Sequence, residues 1–409
     1  MTPSRYSLGS QTKKLVSILM DEPFRLFFPL GVLGGLLGIL FWPIKMFHWA
    51  YEETSTKLHV WMQIYGFMNP FIIGFLTTAI PRFTQTMRMQ LWELLVLAIL
   101  TVAGMVSVMM TYFIGGHYCF VVSSLFLVFV LGRRFRTKQK SPPDTFVFIP
   151  FAFGSAIIGG ALQILVASKI RWHIIEIQSM ATGLIFQGFV LFLLMGIGGF
   201  LIRSILGWSP ELPVQPGQSS HVENANYRKI FWFVGLASLI FISFICEAFI
   251  VPVFFMGLRA LLVSLFLLKQ IKIYRLPRSG KLTSRWLWVA QWMLFVGLWG
   301  VVCWPSYQLA FIHLCFIGGF ALSVVCVATR VIFSHCGCSH LLNQSYKPFS
   351  WAASLIFFGM ITRFSATFMP ESYSQHLSYA GFAWSAGLLI WTGAILTKSL
   401  RDTWTKSLA

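Results

Sequence analysis

The chain alternates between long apolar stretches and short polar connections rich in lysine and arginine. Twelve stretches are apolar and long enough to be membrane helices: 24–43, 59–80, 90–113, 117–132, 145–168, 173–202, 230–247, 250–268, 286–304, 308–333, 349–368 and 377–397. Roughly 20 apolar residues cross a bilayer core. The predicted fold class is therefore all-α, a polytopic membrane helix bundle of about twelve transmembrane helices. The division between 230–247 and 250–268 rests on Glu247 and Pro252. Residues 1–409 read as a single integral membrane domain, and the longest loop, 203–229, reads as a connector too short to fold alone. Small residues recur at helix-packing spacing, as in Gly31 and Gly35, Gly34 and Gly38, Gly196 and Gly199, and Gly297 and Gly300. Glycine lets membrane helices approach closely. Pro70 lacks the amide that a helix needs, so it should bend the second helix.

Composition agrees: 57% of residues are hydrophobic and 11% charged, against about 25% charged in a soluble domain. The net charge of +19 invites a nucleic-acid reading. Topology explains it better. If the helices are numbered in order, the N-terminal arm, the even-numbered loops and the C-terminal tail hold 25 of the 31 basic residues. The opposite side holds four, Lys45, Lys57, Lys169 and Arg171, while Arg259 and Arg363 fall inside proposed helices. The positive-inside rule then makes both termini cytoplasmic. The basic runs at 133–140 and 269–285 become orientation anchors facing anionic lipid, and no nucleic-acid partner is expected. The first apolar run lacks a small-residue cleavage site, so it should stay in the mature protein. The seven cysteines form no disulfide pattern.

Histidine placement carries the chemistry. His48, His59, His117, His173, His313 and His376 fall at or near helix ends on one side of the bilayer. The second, sixth and tenth helices share a pattern: His59, His173 or His313 at one end, Gly-Phe pairs within, and Arg82, Arg203 or Arg330 at the other. A recurrence every four helices suits a pseudo-threefold bundle, although an arginine at the cytoplasmic end of a span is expected anyway. Two imidazoles facing each other across a bundle can ligate heme iron axially, which puts His59 and His313 first; the plain alternative is interfacial histidine held by a neighbour or water. The histidine set, with Met46 and Met62, could instead serve copper. His335-Cys336-Gly337-Cys338-Ser339-His340 places four ligand types in six residues. Arg259, inside a helix, should pair with Glu247 or with a bound ligand. No phosphate-binding glycine loop, Ser-His-Asp arrangement or paired catalytic carboxylates stand out.

Three stretches resemble one family. Phe24-Arg25-Leu26-Phe27-Phe28 looks like the Phe-Arg-Pro-Phe-Phe opening of the NnrS family. His59 through Gly66-Phe67 to Gly74-Phe75-Leu76-Thr77-Thr78-Ala79-Ile80-Pro81 is similar to its second-helix signature. His313, Ile317-Gly318-Gly319, Thr329-Arg330-Val331 and His335-Cys336-Gly337 resemble its His…Ile-Gly…Thr-Arg-Val…His-Thr-Gly signature. The chain departs where the family commonly has a His-x-His-Glu cluster, because Trp61 and Met62 follow His59. A more distant similarity is to the catalytic subunit of heme-copper oxidases, whose twelve helices form pseudo-threefold quartets with heme ligands on helices 2 and 10. The copper pattern of that subunit is missing from helices 6 and 7.

The resemblance implies a multi-pass protein of the bacterial inner membrane that acts in the response to nitric oxide or nitrosative stress. It implies a heme of b type, with copper as a second cofactor and nitric oxide as a small-molecule ligand. His59, His313 and Arg330 would bind the cofactor, and His59, His313 and His335 would bind metal. His173, Cys336, Cys338 and His340 are further metal candidates. The electron donor, and the choice between enzyme, sensor and transporter, stay open. Two other classes compete: a small-solute transporter without cofactor, and a copper-handling membrane protein.

Overall fold

A computed structural model describes residues 8–45, 52–168, 173–208, 220–279, 281–344 and 346–408. His48 and Met46, and the proline-rich part of the connector at 209–219, lie outside the described residues. Among those described, no strand occurs and twelve helices are long and apolar enough to cross a membrane. In chain order the spans are Phe24–Ile44, Thr56–Thr84, Leu91–Met109, Phe113–Arg136, Asp144–Ala167, Ile174–Ile205, Tyr227–Phe249, Pro252–Ile271, Leu282–Cys303, Pro305–His335, Lys347–Phe368 and Pro370–Leu408. All twelve apolar runs are found. The seventh and eighth separate at Ile250, and Pro252 opens the eighth span, where its missing amide costs nothing.

Three spans form the interior. In the apolar stretch of span 2, 83% of residues are buried, and 67% in each of spans 6 and 10, against 56% or less in the rest. These three also carry widened π-helical turns: Met62–Met68, Leu184–Phe189 with Leu194–Gly198, and Leu314–Ala321. A π turn inserts one residue into the α register and is common at functional sites. Pro70 follows the first of them: Asn69 donates back to Ile64, and the next amide is absent. A cavity of about 100 Å³ opens among the same three spans. Phe71, Phe75, Leu193, Ile197, Phe320 and Val327 line it, so it is apolar.

The remaining spans close around this trio through small residues. The glycines of span 1 touch span 2, where a Cβ on Gly34 would sit 2.6 Å from Gly66 Cα, and one on Gly35 2.8 Å from Phe67. Gly300 and Gly297 of span 9 accept Phe311 and Cys315 of span 10. Gly359 and Gly387 bring spans 11 and 12 together. At the basic ends, Arg25 ties the chain termini: it donates to Ser399 O at 2.8 Å and Thr403 Oγ1 at 2.7 Å, and pairs with Asp402 at 2.7 Å and with Glu22.

Candidate functional site

His59 stands one turn into span 2, where span 1 presents bare backbone. Its Nδ1 lies 2.8 Å from Gly38 O. A carbonyl only accepts, so Nδ1 carries the proton and Nε2 keeps its lone pair. Glycine at 38 allows this approach, because a side chain there would meet Met62 at 3.0 Å and Gln63 at 3.1 Å. Gln63 makes the parallel contact a turn away, donating to Gly35 O at 3.1 Å. Trp42 meets the imidazole edge-on, with centroids 5.9 Å apart.

His313 repeats the logic on span 10. Its Nδ1 lies 2.7 Å from Leu309 O of its own helix, which again leaves Nε2 as the acceptor nitrogen. Each histidine directly precedes or nearly precedes the π turn of its span. Both imidazoles are half-buried. They are within electrostatic reach of each other, and Arg363 of span 11 is within reach of both.

Arg363 is 8% exposed. Its guanidinium lies over the Tyr373 ring, 5.8 Å from the centroid, and Nη1 has no partner. No carboxylate pairs with it among the described residues. Span 11 is fixed against span 10 by Phe311 on Phe364, with centroids 5.3 Å apart, and by Met360 on Gly318. Nearby in the fold, Trp384 of span 12 meets Phe67 edge-on at 5.4 Å, and its buried Nε1 is also unpartnered.

The other candidates are placed as follows. His173 faces Glu176 at 3.7 Å and Phe249 at 6.3 Å. His117 is held by Tyr65 at 2.7 Å and packed on Trp61, so it belongs to an aromatic cluster. His376 Nδ1 is buried without a partner. His335 lies 2.9 Å from Glu22 and edge-on to Phe24. Cys338 points its thiol at Cys336 O, 3.3 Å away, while Cys336 is buried and His340 exposed. Among the described residues, no three His, Cys, Asp or Glu side chains converge as a metal cage. Arg330 stands seventeen residues after His313, about 25 Å along the helix axis, and so at the opposite end of span 10. Arg259 takes Glu247 as its partner, at 2.5 Å, and lies over Phe244.

Sequence reasoning passed over Arg363 and Trp384 as site residues. Outside the spans, Glu22 is the strongly perturbed carboxylate of the basic face. Burial pushes its pKa up, yet the His335 hydrogen bond and the Arg25 charge outweigh that and hold it at about 2.

The fold and this histidine pair define a class: an all-α, multi-pass membrane protein whose inner helices carry two preset imidazoles at one end. The chain belongs to the NnrS protein family, whose match runs over residues 18–401. A comparison with curated proteins finds no match.

Proposed function

We propose that the protein is a heme-binding member of the NnrS family, seated in the bacterial inner membrane with both termini in the cytoplasm, and acting in defence against nitric oxide or nitrosative stress. The observation that carries this reading is the matched tautomer of His59 and His313. Each places Nδ1–H on a backbone carbonyl, at 2.8 and 2.7 Å, and keeps Nε2 for another partner. Histidines that ligate metals are normally oriented this way, with the second nitrogen donating to a carbonyl or carboxylate. The residues present fit a heme in their chemistry: two such imidazoles on inner spans within electrostatic reach of each other, and a buried cation whose Nη1 is unpartnered.

Heme iron held by two histidines would supply a one-electron redox centre inside the membrane. The chain's own residues do the rest. Gly38 O and Leu309 O fix ring orientation and raise imidazole basicity. Trp42, edge-on to His59, and the Phe67–Trp384 pair put apolar surface on this half of the bundle and lower the local dielectric. Copper has less to draw on, because Trp61 packs on Tyr65 and Phe186, and Met62 packs against Gly38 and Gly66.

The test is the absorption spectrum of detergent-purified protein, oxidised and dithionite-reduced, with metal analysis on the same sample. A Soret band with sharp reduced α and β bands is expected, and its loss in His59→Ala and in His313→Ala. Unchanged heme content in both variants would sink the ligand assignment. A featureless spectrum from heme-replete cells would move the assignment to a cofactor-free transporter, or to copper handling if copper were found.

A further inference from the structure

Arg363 poses a specific problem. It is 8% exposed within a membrane span, with a guanidinium nitrogen that has no partner. A lone buried charge is costly, and ionisable groups inside a membrane are nearly always paired or turned to a cavity. The other buried arginines here obey that rule: Arg25 has Glu22 and Asp402, Arg134 has Glu93, and Arg259 has Glu247. Arg363 has only a phenol, which offers no full counter-charge. It also stands within electrostatic reach of both His59 and His313. A site that holds a buried guanidinium with an unpartnered nitrogen and no carboxylate calls for an anionic ligand.

We infer that Arg363 is the anion anchor of the histidine site, where its unpartnered Nη1 receives a propionate carboxylate of the heme proposed above. The inference rests on that reading. A carboxylate supplies the missing counter-charge and accepts hydrogen bonds from the fork-shaped guanidinium. In a low-dielectric interior such a pair would hold the bound group in one orientation. The Arg363 charge would also raise the midpoint potential of a heme bound there, because removing a nearby positive charge favours the oxidised form.

The test uses full-length protein expressed without heme, purified in detergent, and reconstituted either with heme or with heme whose two propionates are methyl esters. Wild type should prefer the acid over the ester. In Arg363→Gln that preference should fall at least tenfold, and in Arg363→Lys by less, because the charge is kept. The midpoint potential of heme-loaded Arg363→Gln should also fall below that of wild type. An acid-to-ester preference that is the same in wild type and Arg363→Gln overturns the inference while leaving the heme reading intact. Wild type that binds neither form overturns both. If added formate or nitrite shifts the wild-type spectrum but not that of Arg363→Gln, and the ester preference is unchanged, Arg363 holds a free anion and the propionate assignment fails. If Arg363→Gln does not fold, Arg363→Lys and Arg363→His carry the same comparison.

Discussion

Replacing Gly34 by alanine should damage the histidine site from another helix. A Cβ at position 34 would lie 2.6 Å from Gly66 Cα and inside the Gly66 carbonyl. Carbon atoms rest at about 3.5–4.0 Å from each other, so spans 1 and 2 must part by about 1 Å. Both neighbours are backbone, and no side-chain rotation relieves the clash. Gly38 sits one turn further along the same helix and moves with it. Its contact with His59 Nδ1, now 2.8 Å, would stretch to about 3.8 Å, beyond hydrogen-bond range. Overpacking costs about 1–3 kcal/mol, and the lost hydrogen bond adds about 1 kcal/mol. The assay is a thermal melt in detergent with heme absorbance recorded on the same samples. Gly34→Ala should melt earlier and bind heme more weakly, with altered reduced bands. Gly235→Ala is the control: nothing lies within 4 Å of a Cβ there, and alanine favours the helix by about 1 kcal/mol. A Gly34→Ala protein with wild-type melting and spectrum would refute the close-approach argument.

Two further outcomes concern the basic face. Glu93 is 0% exposed and pairs with Arg134 at 2.6 Å; Glu93→Gln should cost about 3–5 kcal/mol by stranding a buried cation, and the double variant Glu93→Gln/Arg134→Met should melt higher than the single one. Glu22 is held at a pKa of about 2 against an ordinary 4.5, so its stabilisation is complete above pH 4.5 and is lost as pH falls from there through 2. Between pH 5 and 3, therefore, wild type should lose stability more steeply than Glu22→Gln in detergent melts, and parallel curves would remove Glu22 from the account.

The spans were legible because a bilayer imposes a length and a polarity that the chain states openly. The break between spans 7 and 8 was readable from Pro252, which cannot continue a helix but can begin one. Which spans lie inside was harder. Lipid is as apolar as a leucine core, so hydropathy does not separate a lipid-facing surface from a packed one. The His59, His173 and His313 recurrence did point at spans 2, 6 and 10, the three most buried. Their π turns left no trace in composition, since widening a turn needs no particular residue. His335 shows another limit of local pattern: beside Cys336, Cys338 and His340 it reads as a ligand, and the fold also gives it Glu22, 313 residues away, as a partner.

Arginine choice shows what antiparallel topology adds to local pattern. Arg330 attracts attention because it shares a signature and a helix with His313, and helix geometry then carries it about 25 Å away. Arg363 shares neither. Span 10 leaves the histidine face and span 11 returns to it, so a residue near the end of span 11 stands beside the start of span 10, as Phe364 on Phe311 does. Parity of the spans therefore held the signal: in alternate helices, depth is read from the near end of one and the far end of the next. By that rule Arg363 stands level with His59 and His313, and among the described residues it is the buried arginine there without a carboxylate partner.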